Sequence, residues 1–127
     1  MTVSKSILVV EDEAMISMML EDFLETLGYA VHGVASTVAE ASALVANGGF
    51  DAAILDCNLQ GEKSWPVAEE LAGRNIPFLF ATGGSSDDVP SSFINRPTLA
   101  KPFTIGAVER ALEKILNTPG TEGSAAA

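Results

Sequence analysis

Five short apolar runs alternate with segments of helical periodicity along this chain, and that alternation constrains the fold more than any other feature. The runs occupy residues 6–10, 30–34, 52–55, 78–81 and 98–100. Strands that alternate with helices form βα units around a parallel sheet, whose inner strands are continuous runs of Ala, Ile, Leu and Val. The sequence therefore predicts an α/β fold in which a parallel five-stranded sheet lies between two layers of helices.

The segments between the apolar runs carry the start and stop signals of helices. The first segment has apolar residues at helical spacing from Met15 to Leu27, followed by Gly28 as a C-terminal cap, and its methionines are interpreted as core residues. Side-chain caps are expected at the start of three later helices, from Thr37 with Glu40, Ser64 and Thr104.

Helix breakers are concentrated between the fourth and fifth runs, in GGSSDDVPSSFINRP. The fourth helix, which belongs in this segment, is therefore expected to be short or partly disordered. The last helix is expected to end near Asn117, so that residues 1–117 form one domain. Residues 118–127 are small and polar, and they are predicted to be a flexible tail whose GSAAA ending resembles a cloning remnant.

The composition excludes several classes of function. The chain has 127 residues, enough for one domain, and 17 acidic residues against 7 lysines and arginines give it a formal charge of -10. This charge repels phosphate backbones and anionic lipids, so we expect neither nucleic-acid nor membrane binding. With Cys57 as its single cysteine, no signal peptide and no apolar stretch of about 20 residues, the chain is expected to be soluble and cytoplasmic.

Reactive side chains stand at the ends of four of the five apolar runs: Glu11 with Asp12, Asp56, Thr82 and Lys101. Ligands of parallel sheets bind outside the carboxyl ends of the strands. Carboxylates brought together raise one another's pKa unless a cation neutralises them, and Mg²⁺ prefers carboxylate, water and phosphate oxygens. The pattern therefore predicts a magnesium site where a carboxylate attacks phosphorus, with an ammonium and a hydroxyl as donors to the phosphate.

Each of these residues also has a plainer interpretation when it is taken alone. The acidic residues after the first run would favour the positive end of a helix, with Asp12 as its N-cap. Asp56 would be a turn residue, and Thr82 and Lys101 would lie in ordinary loops. The placement of all of them at strand ends of one α/β chain favours the functional interpretation.

Four motifs together resemble the receiver domain of bacterial two-component response regulators. They are VVEDE, LDCNL, FATGG and LAKPF, and the resemblance extends from Ser4 to about Asn117. It implies a flavodoxin-like (βα)5 three-layer sandwich with strand order 2-1-3-4-5, and a cis peptide bond between Lys101 and Pro102. The FATGG motif also resembles the subgroup of receivers named for its Phe-Ala-Thr-Gly sequence (FAT GUY).

The resemblance assigns a role to each polar residue at the strand ends. The positions are Asp56 as the phosphoacceptor, Thr82 as the switch hydroxyl, Lys101 as the phosphate-contacting lysine, and Glu11, Asp12, Asp56 and the backbone carbonyl of Asn58 as ligands of Mg²⁺.

One position departs from the pattern of the family. Three residues before Lys101, where receivers usually have a Tyr or Phe that moves inward with the threonine, this chain has Thr98. Another element must then transmit the change of phosphorylation state. Our hypothesis is that residues 83–95 become ordered when Thr82 bonds the phosphoryl group. Amide exchange in this segment that a phosphoryl mimic leaves unchanged would contradict it.

The resemblance implies a phosphoacceptor switch or relay in a histidine-to-aspartate phosphorelay, and not a separate enzyme, although the domain assists its own phosphorylation and dephosphorylation. A histidine kinase or histidine phosphotransferase would supply the phosphoryl group to a monomer, and a downstream signalling protein would detect it. The main alternative is a receiver-fold interaction module that is not phosphorylated. Two other classes of protein fit the sequence less well. An FMN protein would need a phosphate-binding loop where Glu11 and Asp12 stand. An aspartyl phosphatase would need the sequence Asp-x-Asp after the first strand.

Overall fold

The computed structural model describes residues 5–83, 89–93 and 95–116, and within them strands and helices alternate as the apolar runs predict. The elements are β1 (Ser6–Val10), α1 (Ala14–Leu27), β2 (Ala30–Ala35), α2 (Val38–Asn47), β3 (Ala52–Asp56), β4 (Asn58–Leu59), β5 (Glu62–Lys63), α3 (Trp65–Gly73), β6 (Phe78–Thr82), a 3-10 turn (Ser91–Phe93), β7 (Thr98–Ala100) and α4 (Ile105–Leu116). None of the helices in these ranges is both long and apolar enough to cross a bilayer. The predicted end of the domain near Asn117 and the predicted tail lie outside the described residues.

Five strands form one parallel sheet in the order β2-β1-β3-β6-β7. Counting only the strands of this sheet, the order is 2-1-3-4-5, so the predicted flavodoxin-like topology is confirmed. The central strand, β3, is buried along its whole length. Because all five strands are parallel, their carboxyl ends lie at the same edge, and this edge receives Asp56 from β3 and Thr82 from β6.

Two groups of buried apolar side chains cover the two faces of the sheet. On one face, Leu55 and Phe80 belong to a cluster that α2 and α3 complete. On the other face, Ile54 and Leu79 belong to a cluster that α1 and α4 complete. Successive residues of β3 and β6 therefore point to opposite layers, as the period of a strand requires, and the structure is the predicted three-layer sandwich.

Two of the predicted helix caps are present. The Thr37 hydroxyl accepts a hydrogen bond from the backbone N–H of Glu40 at 3.0 Å, and the Glu40 carboxylate accepts one from the N–H of Ser36 at 2.8 Å. The two bonds satisfy two donors at the start of α2, although the second reaches Ser36, one residue before the N-cap. The Thr104 hydroxyl accepts from the N–H of Ala107 at 3.1 Å, so α4 is capped as expected.

The expected cap from Ser64 is wrong, and so is the plainer interpretation of Asp12 as an N-cap. The N-cap of α1 is Glu13, whose side chain makes no capping bond, so Asp12 does not cap this helix. Ser64 occupies the N-cap position of α3, but its hydroxyl makes no cap either. Ser64 is fully buried, and its hydroxyl donates instead to the backbone carbonyl of Asp56.

The interpretation of the α1 methionines as core residues is wrong for two of them. Met15 is 83% exposed and Met18 is 64% exposed. The buried positions of α1 are Ser17, Leu20 and Leu24, which follow the i, i+3, i+7 spacing of one face. Met15 and Met18 lie outside that stripe, on the exposed part of the helix.

A short hairpin, which the sequence did not predict, links β3 to α3. Its strands, β4 and β5, pair in antiparallel fashion and are joined by Gln60 and Gly61. Both joining residues have positive φ, 49° and 86° respectively, as a type I′ turn requires. The strands have two residues each, too few for a pattern of alternation to reveal them.

Between β6 and β7, the described residues contain a single 3-10 turn, Ser91–Phe93, where the fourth helix was expected to be short. Phe93 is buried, and its ring centroid lies 5.8 Å from that of Phe78 and 6.0 Å from that of Phe80. The turn is thereby attached to the core. The expectation of partial disorder applies to residues 83–97, of which 84–88 and 94 lie outside the described residues, so it stays a prediction.

A pair of alanine substitutions in α1 tests the orientation of this helix. Leu24→Ala removes a fully buried side chain, and we expect it to lower the free energy of unfolding by about 2–5 kcal/mol. Met15→Ala, on the exposed face, should change it by less than about 0.5 kcal/mol. Urea unfolding followed by circular dichroism measures both, and similar losses in the two variants would contradict the orientation.

Candidate functional site

Three carboxylates meet at the carboxyl edge of the sheet. Asp56 is the last residue of β3, and Glu11 and Asp12 follow the neighbouring strand β1. One oxygen from each of the three lies within 4.8 Å of the others. Glu11 and Asp56 are only 2% and 5% exposed, whereas Asp12 is half-buried. The parallel pairing of β1 with β3 therefore brings together acids that are more than forty positions apart in the chain.

The ammonium group of Lys101 lies between two of these acids. Its Nζ donates to Oδ2 of Asp56 at 2.9 Å and lies 3.0 Å from Oε1 of Glu11 and 3.8 Å from Oε1 of Glu13. The backbone holds it there, because the N–H of Lys101 donates to the carbonyl of Thr82 at 2.9 Å. The peptide bond from Lys101 to Pro102 is cis.

Burial and charge act in opposite directions on the pKa of Lys101. Burial by itself lowers this pKa, since it disfavours the charged amine. The hydrogen bond to Asp56, the ion pair with Glu11 and the attraction of the two carboxylate charges together outweigh burial and raise the pKa above its ordinary value. Lys101 is therefore a permanent cation of the site at neutral pH.

Glu11 is the acid whose ionisation is most disfavoured. The pKa of its carboxyl group is raised from 4.5 to about 7, chiefly by burial and secondarily by the charge of Asp56, although the N–H of Glu13 and the ammonium of Lys101 act in the opposite direction. Oε2 accepts from the N–H of Glu13 at 3.0 Å. Oε1 is the ion-pair partner of Lys101, yet no hydrogen bond of good geometry reaches it from the described residues.

These acids fit a hard divalent cation. Carboxylate oxygens are the ligands that Mg²⁺ prefers, and three of them converge here from Glu11, Asp12 and Asp56. A buried oxygen that lacks a full set of hydrogen bonds, such as Oε1 of Glu11, costs free energy that a cation can recover. The donor set and the incomplete hydrogen bonding both favour a cation at this position.

The hairpin adds backbone donors to the same acids, and no sequence pattern indicated these contacts. The N–H of Asn58 donates to Oδ1 of Asp56 at 3.3 Å, and the N–H of Gln60 donates to Oδ2 of Asp12 at 2.9 Å. The Ser64 hydroxyl donates to the backbone carbonyl of Asp56 at 2.6 Å. The sequence contains a serine eight positions after Asp56, but nothing in the pattern distinguishes this contact from a helix cap.

Thr82 and Thr98 lie on neighbouring strands. Thr82 is the last residue of β6, half-buried at the same edge of the sheet as Asp56. Thr98 is the first residue of β7, pairs with Phe80 and is exposed. The position at which the resemblance places an aromatic residue is therefore occupied by a small side chain at the surface.

The raised pKa of Glu11 predicts how stability depends on pH without divalent cations. Below pH 4.5 Glu11 is protonated in both the folded and the unfolded chain; between pH 4.5 and about 7 it ionises only in the unfolded chain. The unfolded state then binds fewer protons, so the contribution of Glu11 to the free energy of unfolding falls as the pH rises through this window.

Urea unfolding of wild type and Glu11→Gln at a series of pH values measures this contribution. We expect a shallower decline in Glu11→Gln, because an amide does not titrate, whereas Glu25→Gln on the exposed face of α1 should decline like wild type. Equal slopes in wild type and Glu11→Gln would show that burial does not disfavour the Glu11 carboxylate.

Comparison with known proteins agrees with this geometry. Residues 7–113 match the family described as the response regulator receiver domain. The transcriptional regulatory protein PdtaR of Mycobacterium tuberculosis is 30% identical over 132 residues, which cover 98% of this chain and 64% of PdtaR. The chain thus spans just under two thirds of the length of the curated relatives that it matches.

Two solved structures are more similar in sequence. SdrG from Sphingomonas melonis Fr1 is 59% identical with a TM-score of 0.82, and the match covers 91% of this chain and 99% of SdrG. The BeF3-activated conformation of SdrG from Pseudomonas melonis Fr1 is 58% identical with a TM-score of 0.77 and the same coverage. The motifs, the strand order and these matches lead to one conclusion: this chain belongs to the response regulator receiver domain family of two-component signalling.

Proposed function

We propose that this domain is a phosphoacceptor, either a switch or a relay, in which Asp56 receives a phosphoryl group in a histidine-to-aspartate phosphorelay. The observation that carries the proposal is the position of Asp56. Its carboxylate stands at the end of the central strand, 2.9 Å from the ammonium of Lys101 and within 4.8 Å of the Glu11 and Asp12 carboxylates. A nucleophile, a cation for the phosphate and acids for a metal ion are thus adjacent.

In the proposed reaction, a carboxylate oxygen of Asp56 attacks phosphorus and forms a new P–O bond. The P–N bond of a phosphohistidine, or the P–O bond of a small acyl phosphate, breaks, and the bonding electrons leave with the imidazole, which is protonated at its other ring nitrogen, or with the carboxylate. The N–H of Asn58, which donates to Oδ1 of Asp56, orients the carboxylate. The protein contributes mainly position and electrostatics, as in other phosphoryl transfers.

Glu11, Asp12 and Asp56 would hold Mg²⁺, with the backbone carbonyl of Asn58 as the further ligand that the family resemblance implies. When bound, the ion neutralises negative charge on the transferred oxygens. Lys101 would move its ammonium from Asp56 to a phosphoryl oxygen, and the Thr82 hydroxyl would donate to another. Because Lys101 already touches Asp56 Oδ2 and is fixed through its backbone to β6, this change needs only a small displacement.

The activated conformation of a relative supports this proposal. One of the two SdrG structures is the BeF3-activated conformation of that protein, which is 58% identical to this chain. A beryllium trifluoride group bound to a carboxylate resembles a phosphoryl group in shape and charge. We infer that Asp56 accepts the same mimic.

The partners of the domain follow from the proposed chemistry. The donor would be a histidine kinase or a histidine phosphotransferase, and a downstream signalling protein would recognise the phosphorylated state. PdtaR is a transcriptional regulatory protein, but the match covers 64% of it, so its output does not transfer to this chain. The alternative of a receiver-fold module that is not phosphorylated has less support, since every residue of the acceptor set is present.

Intact mass after incubation with acetyl phosphate and Mg²⁺ tests the acceptor directly. We expect wild type to gain the mass of one phosphoryl group and Asp56→Asn to gain none, because an amide is not a comparable nucleophile. Asp51→Asn is the matched control, since Asp51 stands just before the amino end of the same strand and accepts from the N–H of Ser6. No gain in wild type, or an equal gain in Asp56→Asn, would favour the alternative.

Replacement of the site cation by a neutral side chain of similar length separates metal binding from phosphoryl transfer. Lys101→Met should accept phosphate about 10²-fold more slowly, because a charge that stabilises the transferred oxygens is lost. The same variant should bind Mg²⁺ more tightly, because the ammonium no longer competes for Asp56 and Glu11.

Calorimetry with Mg²⁺ and the mass assay measure the two effects, and exposed Lys5→Met, at the opposite end of β1, is the control. Weaker Mg²⁺ binding in Lys101→Met would contradict the idea that the ammonium and the metal ion share oxygens.

A further inference from the structure

Ser64 makes two hydrogen bonds to consecutive backbone carbonyls at the phosphoacceptor position. Its hydroxyl donates to the carbonyl of Asp56 at 2.6 Å, and its N–H donates to the carbonyl of Cys57 at 3.0 Å. The N–H of Cys57 in turn donates to the carbonyl of Ala81 in β6 at 3.2 Å. The peptide group between Asp56 and Cys57 is therefore held at its oxygen by Ser64 and at its nitrogen by the sheet.

The sheet alone does not hold this peptide group. The ladder between β1 and β3 ends with the pair Val10 and Leu55, so no residue of β1 is paired with Asp56. The Ser64 hydroxyl supplies the partner that the carbonyl of Asp56 lacks at that point. Ser64 is fully buried, and a buried carbonyl group needs a hydrogen-bond partner.

The same serine closes the hairpin that follows Asp56. Asp56 and Ser64 are eight residues apart, and the bonds between them bring the two ends of the hairpin together. From this hairpin, the N–H of Asn58 reaches Asp56 and the N–H of Gln60 reaches Asp12. The position of Ser64 thus determines how two of the three acids of the site are held.

Helix capping does not account for this serine. Serine is a preferred N-cap because its oxygen accepts an N–H of the first turn. Ser64 has the N-cap position of α3, yet its side chain makes no capping bond and its hydroxyl donates in the opposite direction, into the site.

We propose that Ser64 is a positioning residue for the metal and phosphoryl site: its hydroxyl fixes the Asp56 peptide group and the hairpin so that Asp12 and Asp56 present their oxygens to a divalent cation. This inference rests on the proposed function, and it adds to it a determinant of metal affinity that touches neither metal nor phosphate. Groups that orient metal ligands in this way typically change the affinity about 10- to 100-fold when they are removed.

Ser64→Ala is the variant that tests this role, with Ser17→Ala as its matched control. Ser17 is also a buried serine whose hydroxyl donates to a backbone carbonyl, that of Ala14 at 3.0 Å, but this carbonyl belongs to α1 and not to one of the three acids. Both variants lose a buried hydroxyl, so a general loss of stability affects both. Calorimetric titration with Mg²⁺ and the rate of phosphoryl gain from acetyl phosphate, at increasing Mg²⁺, are measured for each.

We expect Ser64→Ala to need about 10-fold more Mg²⁺ for half-maximal binding and half-maximal rate. At saturating Mg²⁺ its rate should return towards the wild-type value, since the nucleophile and Lys101 are intact. Ser17→Ala should match wild type in both measurements. Ser64→Thr, which restores the hydroxyl, should recover the affinity.

Mg²⁺ affinity in folded Ser64→Ala equal to that of wild type, or lowered as much in Ser17→Ala, would overturn the inference. If Ser64→Ala does not fold, Ser64→Cys, which keeps the size but is a weaker donor, is judged by the same criterion. If wild type gains no phosphoryl group, the proposed function fails, while the calorimetric comparison of the variants still decides the role of Ser64.

Discussion

The repulsion among acids at one edge of the sheet is the constraint on which the rest of the site depends. The parallel pairing of β1 with β3 brings carboxylate oxygens of Glu11, Asp12 and Asp56 within 4.8 Å of one another. Two unit charges at such a distance interact by about 1 kcal/mol in water and about 4 kcal/mol at an effective dielectric constant of 20. Burial makes the higher figure the more relevant one, so these acids need compensation. The ammonium of Lys101 and the N–H groups of the hairpin provide it.

That compensation is incomplete, and the proposed function depends on the charge that remains. One ammonium offsets one charge, and the pKa of Glu11 rises to about 7 because its carboxylate is buried. A cluster in this condition favours a divalent cation, and the proposed function adds a phosphoryl group. The hairpin and Ser64 hold the acids in place before a cation binds, so that cation binding does not have to organise them. Stability and the proposed reactivity therefore depend on the same contacts.

Much of the fold was predictable from local patterns. The limits of β1 and β7 agree with the apolar runs, whereas β3 and β6 each extend one residue further, to Asp56 and Thr82, because ladder pairs continue into the polar residue. The exposure of Met15 was not predictable, since helical spacing shows that a helix has an apolar face but not how wide a stripe the sheet covers. The hairpin was not predictable, because strands of two residues carry no periodicity.

By itself, the sequence determined the α/β class, the order of the strands through the family resemblance, and the presence of acids, a threonine and a lysine at strand ends. These properties depend on residue type and spacing along the chain. Only the tertiary structure decided which groups touch: Lys101 meets Asp56 across 45 positions, Gln60 meets Asp12 across 48, and Ser64 donates to Asp56 instead of capping its helix. Contacts of this kind depend on how strands and loops pack in space, and a serine at the start of a helix has the same sequence signature whichever way its hydroxyl points.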